Sequence, residues 1–160
     1  MMDTLPKAKA MGLGLSVGSF REQVERIMAW GAQHRSAYVC CVNVHMCMEA
    51  HGDASFARIV NEADLATADG MPMLNSLNRL NNLKQERVAG NDLMPAVMVE
   101  AERMGLGIFL YGGKQEVLDT IVAKAAKQHP SLRISGTYSP PFRMPTGDEM
   151  AADAARIAAS

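Results

Sequence analysis

An aspartate–glycine pair, Asp69-Gly70, directly follows the short apolar run Leu65–Ala68. Such a pair at the end of a strand places a carboxylate at the sheet edge where open α/β folds bind their ligands. A carboxylate in that position can remove a proton from a hydroxyl group during catalysis. The Asp-Gly sequence also favours an ordinary turn into a following helix, so the spacing alone leaves both interpretations open.

A single arginine, Arg87, precedes the sequence Gly90-Asn91-Asp92, which predicts the start of a helix. A guanidinium group can bind a phosphate through two parallel hydrogen bonds, and the N–H groups of a helix N-terminus also attract anions. The pattern therefore suits a site for a phosphate leaving group. The alternative is a surface arginine paired with Glu86 or Asp92, in which case Asp92 only starts the helix.

Two further strand ends carry residues that suit a ligand. Gly112-Gly113 stands between a predicted strand and a predicted helix, where glycines let the main chain approach a nucleotide. The pair lacks the glycine pattern of dinucleotide-binding proteins and the lysine of a P-loop, and it equally suits a plain turn. Asn43 ends another predicted strand, where its amide could orient a sugar or a base, or merely cap the next helix.

Two cysteines and two histidines lie close together in the sequence, at Cys41, His45, Cys47 and His51. Their spacing matches no common zinc motif, and Cys41 falls in a predicted strand whereas the others fall in a predicted helix. No pattern of oxyanion donors accompanies them, which argues against a cysteine nucleophile. We therefore expect no metal site and no metal cofactor.

The composition is that of a globular protein, and the length of 160 residues predicts one domain, residues 1–160. Apolar residues make up 48% of the chain, charged residues 21%, and the net charge is −1. This balance provides no general attraction to nucleic acid, and no apolar run is long enough to span a membrane. Three cysteines without framework spacing favour a reducing cytoplasm.

Alternating strand and helix patterns predict an α/β fold, a Rossmann-like, doubly wound and mostly parallel sheet with flanking helices. Ser19 and Asp53 are predicted helix caps, and Gly105 is a predicted helix stop. The last predicted helix is still running at Ser160 with no strand after it. We therefore expect the last part of the sheet to lie beyond this sequence. The predicted strands cover residues 13–17, 38–42, 65–68, 108–111 and 132–138.

Taken in order, these motifs resemble the WecG/TagA/CpsF family of bacterial glycosyltransferases, glycosyltransferase family 26. The similarity extends from about Gly14 to the end of the chain. Each motif is weak alone, and the specificity lies in their order. They are the strand ending on Asn43, then Ile59–Asp64, Asp69-Gly70, Arg87–Pro95, Phe109–Gly113 and the Ser139–Phe142 loop.

The resemblance implies an inverting transfer of a sugar, often N-acetylmannosamine, from a UDP-sugar to a polyprenyl-diphosphate-linked acceptor. This reaction serves the synthesis of cell-surface polysaccharides, including teichoic acids and exopolysaccharides, and is thought to need no metal. The resemblance also implies Asp69 as the catalytic base and Arg87 as a second catalytic residue. The implied substrate-binding residues are Cys41, Asn43, Gly70, Gly90, Asp92, Gly112 and Gly113.

This sequence departs from the family pattern at several positions. Cys41 stands where the family has a threonine, Ala68 where it has a proline, and Asn91 where it has a serine or threonine. Family members also extend further, with a Pro-Lys-Gln-Glu motif and an arginine-rich tail. We therefore expect an incomplete site, peripheral contact with the inner face of the plasma membrane through the missing part, and a homo-oligomer.

Two other functions stay open on the sequence alone. The first is a non-catalytic nucleotide-binding or assembly module of the same fold. The second is a Rossmann-type metabolic enzyme that binds NAD or FAD, for which the glycine fingerprint is absent.

Overall fold

The structure is a computed structural model that describes residues 4–160 and contains both helices and strands. The chain divides into two compact units, Met1–Val97 and Met98–Ser160. The elements are β1 (Lys7–Ala10), β2 (Leu13–Ser16), α1 (Phe20–Ala32), β3 (Val39–Val42), α2 (Val44–Gly52), α3 (Ala54–Glu62), β4 (Leu65–Ala68), α4 (Met71–Asn81), α5 (Gly90–Met104), β5 (Gly107–Tyr111), α6 (Gln115–Gln128), β6 (Arg133–Tyr138) and α7 (Gly147–Ala158).

A two-residue turn, Met11-Gly12, joins β1 to β2 in an antiparallel hairpin. Both turn residues have positive φ, 51° and 83°, which matches the turn to the twist of the strands. The sequence predicted β2 but not β1, because Lys-Ala-Lys-Ala lacks the β-branched and aromatic residues typical of strands. The Lys7 ammonium group ties the hairpin to the end of α3, since it donates to the carbonyl oxygens of Asn61 (2.8 Å) and Ala63 (2.6 Å).

The parallel pair of β3 and β4 lies in the core of the first unit. All of β4 is buried, and the N–H of Ala66 donates to the Ser16 hydroxyl at 3.0 Å, which connects β2 to β4. Cys41 stands opposite Thr67 in the register of this pair. The core therefore holds the carboxyl ends of β3 and β4 in fixed positions. Its buried side chains include Leu13, Leu15, Val42, Val60, Met73 and Leu77.

Side-chain caps determine where two helices of this unit begin. The Ser19 hydroxyl accepts from the N–H of Glu22 and the Glu22 carboxylate accepts from the N–H of Ser19, which makes a complete capping box. The Asp53 carboxylate accepts from the N–H groups of Ser55 and Phe56 at the start of α3. Both predicted caps are confirmed.

The segment between α4 and α5 runs beside β4. The N–H of Val88 donates to the carbonyl oxygen of Ala68 at 3.2 Å, and the Val88 side chain is fully buried. The Gln85 amide exchanges two hydrogen bonds with the main chain of Gly18, at 2.9 and 2.6 Å. These anchors fix the backbone on both sides of Arg87, whose own side chain is exposed.

The first unit also buries Trp30, the one tryptophan of the sequence, at 4% exposure. The Arg35 guanidinium lies over the indole ring, 5.3 Å from its centroid. This cation–π contact joins the last turns of α1 to the segment that leads into β3.

In the second unit, β5 and β6 form a parallel pair connected by α6, as a βαβ unit requires. Gly105, with φ of 67°, follows the last residue of α5, and the predicted helix stop is confirmed. The prediction that the last helix is still running at Ser160 is wrong. α7 ends at Ala158, and the N–H of Ala159 closes it on the Ala155 carbonyl oxygen. Only two residues follow Ala158 in this sequence, so the last carbonyl oxygens lack the N–H groups that would continue the helix.

The predicted mixed α/β class, with parallel strands flanked by helices as in Rossmann-like folds, is confirmed. Within residues 4–160 the strands pair in twos, β1 with β2, β3 with β4 and β5 with β6. The parallel pairs carry the residues that the sequence singled out at strand ends.

Candidate active site

Asp69 is the first residue after β4 and is half-buried. Its N–H donates to the Val42 carbonyl oxygen at 3.0 Å, which fixes the backbone at the carboxyl end of the β3–β4 pair. Its Oδ2 atom lies 3.5 Å from the N–H nitrogen of Gly90, a long hydrogen bond. The carboxylate is thus held loosely by main chain and stays available as a hydrogen-bond acceptor.

Gly70 makes the sharp transition from Asp69 to α4. Its φ of 115° and ψ of 142° fall in a region that essentially only glycine adopts, so this position requires glycine for its backbone. Its carbonyl oxygen accepts the first hydrogen bond of α4, from the N–H of Leu74 at 3.1 Å. The N-terminus of α4 therefore begins immediately beyond the Asp69 carboxylate.

Cys41 is half-buried on β3, and its thiol faces the same space as Asp69. Burial raises the pKa of the Cys41 thiol, the nearby Thr67 hydroxyl opposes this rise, and the charge of Asp69 adds to it. The thiol is therefore protonated at neutral pH and can act as a weak hydrogen-bond donor.

Gly90, the first residue of α5, lies between the Cys41 thiol and the Asp69 carboxylate. A Cβ atom built on Gly90 would lie 3.4 Å from Cys41 Sγ and 3.9 Å from Asp69 Oδ2. The missing side chain therefore leaves room for about one methyl group beside the thiol and the carboxylate. Cys41, Asp69 and Gly90 form one cluster, which we call the β3–β4 end cluster.

Asn43 directly follows β3 and caps α2. The cap is one of the two roles that the sequence predicted for this residue. Its Oδ1 atom accepts from the N–H of Met46 at 3.0 Å. The residue is exposed, and the cap uses only its amide oxygen. Asn43 therefore has a structural role already, with its donor end available to a ligand.

Arg87 forms an ion pair with Asp92, with 2.6 Å between Nη2 and Oδ2. Of the two predicted partners, Glu86 is engaged elsewhere, since its carboxylate accepts from the N–H of Phe20 at 2.8 Å. About half of each side chain in the Arg87–Asp92 pair is exposed, at 42% and 51%. Exposed pairs of this kind contribute about 0–1 kcal/mol, so an incoming phosphate could replace the carboxylate at low cost.

Gly112 and Gly113 lie in the second unit, at the carboxyl end of β5. Both have positive φ, 100° and 74°, and the N–H of Gly112 donates to the Tyr138 carbonyl oxygen at 2.9 Å. The Ser139 hydroxyl donates to the carbonyl oxygen of Gly113 at 2.6 Å and joins the loops that follow β5 and β6.

An open cleft of about 780 Å³ lies between these two loops. α6 begins beside it at Gln115, and the preceding Lys114 makes no side-chain cap in the described chain. The N–H of Val117 already donates to the Lys114 carbonyl oxygen, so the N–H groups of Gln115 and Glu116 are those that suit an acceptor. Phe142 is fully exposed at the rim. The cleft is lined by Gly112, Gly113, Lys114, Ser139, Pro140, Pro141, Phe142 and Arg143.

The structure thus brings Cys41, Asp69 and Gly90 together and pairs Arg87 with Asp92, while Gly112 and Gly113 line a cleft of the other unit. The sequence analysis did not identify one residue beside the cluster, Thr67. Thr67 is the polar member of the otherwise apolar β4 and stands two positions before Asp69. That polar residue in a fully buried strand was the available signal.

Two further findings concern metal and membrane. Among residues 4–160, no group of three or more His, Cys, Asp or Glu side chains is arranged to hold a metal ion. In the same part of the chain, every helix is too short or too polar to cross a lipid bilayer.

Comparison with known proteins identifies one family. The model described as "Glycosyl transferase WecG/TagA/CpsF family" matches residues 8–160. The chain is 27% identical over 104 residues to the N-acetylglucosaminyldiphosphoundecaprenol N-acetyl-beta-D-mannosaminyltransferase of Bacillus subtilis (strain 168). This match covers 65% of the present chain and 41% of the relative, so the chain spans less than half the length of that protein.

Proposed function

Since this chain belongs to the WecG/TagA/CpsF family of glycosyltransferases, we propose that it transfers a sugar from a UDP-sugar to a polyprenyl-diphosphate-linked acceptor. The name of the Bacillus subtilis relative supports an N-acetylmannosamine-like sugar and a lipid-linked acceptor. The polymer under synthesis belongs to the bacterial cell surface. The enzyme works at the inner face of the plasma membrane, in contact with its lipid-linked substrate.

Asp69 is the proposed general base. The carboxylate takes the proton of the acceptor hydroxyl while that oxygen attacks the anomeric carbon of the donor. The bond between this carbon and the diphosphate oxygen breaks, UDP leaves with the electron pair, and the anomeric configuration inverts. The loosely held carboxylate in the β3–β4 end cluster is the observation that carries this proposal, since its oxygens are open to a new hydrogen bond. Proton transfer of this kind contributes about 10²–10⁴-fold to a rate.

Positive groups must balance the charge of the departing diphosphate, and we assign this role to Arg87. Its pairing with Asp92 holds the guanidinium in an extended, half-exposed position at the start of α5. Asp92 accepts one hydrogen bond from the guanidinium, whereas a phosphate in its place could accept two parallel ones. No metal ion is needed in this scheme.

We propose that the cleft of the second unit, taken by itself, binds a nucleotide. The positive φ of Gly112 and Gly113 lets main chain line the cleft without side chains, and the N–H groups at the start of α6 suit a phosphate. The exposed Phe142 ring offers a flat apolar surface for a base. Asn43 and Cys41 are the proposed sugar contacts of the first unit.

The test is transfer of a labelled sugar from a UDP-sugar to a polyprenyl-diphosphate-linked acceptor, for the wild type and Asp69→Asn. We expect Asp69→Asn to reduce turnover by about 10²-fold or more, because the amide cannot accept the proton. Asp119→Asn is the matched control. Its carboxylate is exposed on α6 and contacts only the neighbouring Gln115 amide among the described residues, so its activity should equal that of the wild type.

If Asp69→Asn retains more than half the turnover of the wild type, Asp69 is not the catalytic base. A chain that binds UDP but transfers no sugar would instead support the alternative function, a non-catalytic nucleotide-binding or assembly module.

A further inference from the structure

Thr67 has a buried hydroxyl that the fold itself does not explain. The residue is 0% exposed, and its Oγ1 atom makes no hydrogen bond of normal geometry within residues 4–160. A buried polar group without a partner costs about 1–3 kcal/mol. Valine has the same shape and would avoid this cost, so the hydroxyl calls for a role other than packing.

The hydroxyl lies beside the β3–β4 end cluster. Thr67 is the register partner of Cys41 across the parallel pair, so their side chains are on the same face. Asp69 follows two residues after Thr67, and its carboxylate lies near the same thiol, since both groups are within 4 Å of the Cβ position of Gly90. The Thr67 hydroxyl lowers the pKa of the Cys41 thiol across this register pair, although the two groups make no hydrogen bond of normal geometry.

We propose that Thr67 is a positioning residue, whose hydroxyl pairs with the Cys41 thiol and orients that thiol towards the space shared with Asp69 and Gly90. The buried hydroxyl does not reach a substrate and acts through Cys41. A donating Thr67 leaves the S–H of Cys41 free to point away from β4, into the space beside the Asp69 carboxylate. The part of this proposal that concerns catalysis rests on the proposed function, and the pairing itself does not.

The pairing is tested by the reactivity of Cys41. The rate of alkylation by iodoacetamide at pH 8 is measured for each cysteine by mass spectrometry of peptides, in the wild type and in Thr67→Val. Valine keeps the shape and removes the donor that stabilises the thiolate. We expect Cys41 to react about 2- to 10-fold more slowly, the effect of one hydrogen bond reduced by the higher nucleophilicity of a more basic thiol.

Cys40 is the internal control, because it stands on the opposite face of β3 and its rate should not change. Thr67→Ser retains the hydroxyl and should keep the Cys41 rate within twofold of the wild type. An unchanged Cys41 rate in Thr67→Val would overturn the pairing. If Thr67→Val fails to fold, a Cys41 rate in Thr67→Ser that departs from the wild type by more than threefold would overturn it instead.

The catalytic part is tested by sugar transfer. We expect Thr67→Val to lower kcat about 10-fold with little change in KM and no fall in Tm, and Thr67→Ser to restore kcat. A parallel loss of kcat and Tm that serine does not rescue would mean a structural role only. If the wild type transfers no sugar, the proposed function fails, while the alkylation rates still decide whether Thr67 and Cys41 are paired.

Discussion

Gly90 shows how a single residue can keep a site open. Its backbone needs no glycine for its conformation, in contrast to Gly70 with its φ of 115°. The role of Gly90 is instead the space that its missing side chain leaves between the Cys41 thiol and the Asp69 carboxylate. Gly90 is thus important for its lack of a side chain and not for its backbone conformation.

We expect Gly90→Ala to lower sugar transfer about 10-fold or more without loss of stability. The added methyl would lie 3.4 Å from Cys41 Sγ, an ordinary contact that the fold can accept. In the proposed function, it would occupy room beside the catalytic base that the substrate uses. Alanine also favours the helix by about 0.5–1 kcal/mol relative to glycine. The measurements are steady-state kinetics and thermal unfolding.

Gly147→Ala is the matched control, because Gly147 is likewise the first residue of a helix and a Cβ there would meet open space. Its kinetics should equal those of the wild type. Full activity in Gly90→Ala would show that substrate does not enter the space between Cys41 and Asp69.

The sequence indicated most of the candidate residues but not how they pair. Asp69 and Gly70 were identified because polar residues after an apolar strand are easy to recognise. The Arg87–Asp92 ion pair was one of two alternatives, and only the engagement of Glu86 with the start of α1 distinguishes them. Thr67 was missed because threonine also belongs in strands on propensity alone, and its unpaired hydroxyl is visible only in three dimensions.

Among the elements, the five predicted strands are confirmed to within one residue at each end, and the two predicted helix caps are confirmed, whereas β1 was missed. Ser19 and Asp53 cap through hydrogen bonds to N–H groups two or three residues away, so the signal is local and the residue types report it. β1 depends on a partner strand across a turn, and its alternating lysine and alanine residues carry little intrinsic preference.

The start of α7 is held by an ion pair that responds to acid. Glu149 accepts from the Arg143 guanidinium and from the N–H of Thr146. The Arg143 hydrogen bond is the main cause that lowers the pKa of Glu149 from 4.5 to about 2. A carboxyl whose pKa is lower in the folded state stabilises that state above its ordinary pKa. This stabilisation is lost as the pH falls from 4.5 towards 2.

We therefore expect the amides in the first turn of α7 to lose protection from hydrogen exchange between pH 4.5 and pH 2. Glu149→Gln should remove this dependence on pH, because glutamine keeps the shape of the capping box and cannot titrate. Exchange measured by NMR, corrected for the intrinsic pH dependence, checks both variants. An identical profile in the wild type and Glu149→Gln would contradict the assignment of this contact to α7.

On the scale of the whole molecule, the single domain expected for residues 1–160 stays a prediction, since each of the two compact units has its own packing. Chain length predicts the size of a domain only on average. The division lies within the residues of α5, a helix that reads as continuous in sequence. The division arises because residues pack mainly within their own unit. Such tertiary packing cannot be read from a local sequence pattern.

We expect UDP to raise the Tm of the whole chain, because a ligand that binds only the folded state stabilises it by about 2.7 kcal/mol at a concentration of 100 Kd. Gly113→Ala should weaken this effect, since Gly113 lines the cleft of the second unit. Calorimetric titration with UDP, with and without magnesium, measures Kd and tests whether a metal contributes.

Gly105→Ala is the matched control for Gly113→Ala. Both glycines have a similar positive φ, 67° and 74°, and open space around a Cβ, so the backbone strain is comparable while only Gly113 lines the cleft. Equal UDP affinity in the two variants would show that the nucleotide does not bind in the cleft.

The buried Trp30 makes the first unit optically distinct. Because the sequence has one tryptophan, fluorescence excited at the red edge of indole absorption comes from this unit alone. Far-ultraviolet circular dichroism reports the helices of both units together. Coincident denaturation curves from the two signals would mean that the units unfold as one cooperative body, and a separation between them would give the stability of each unit from a single experiment.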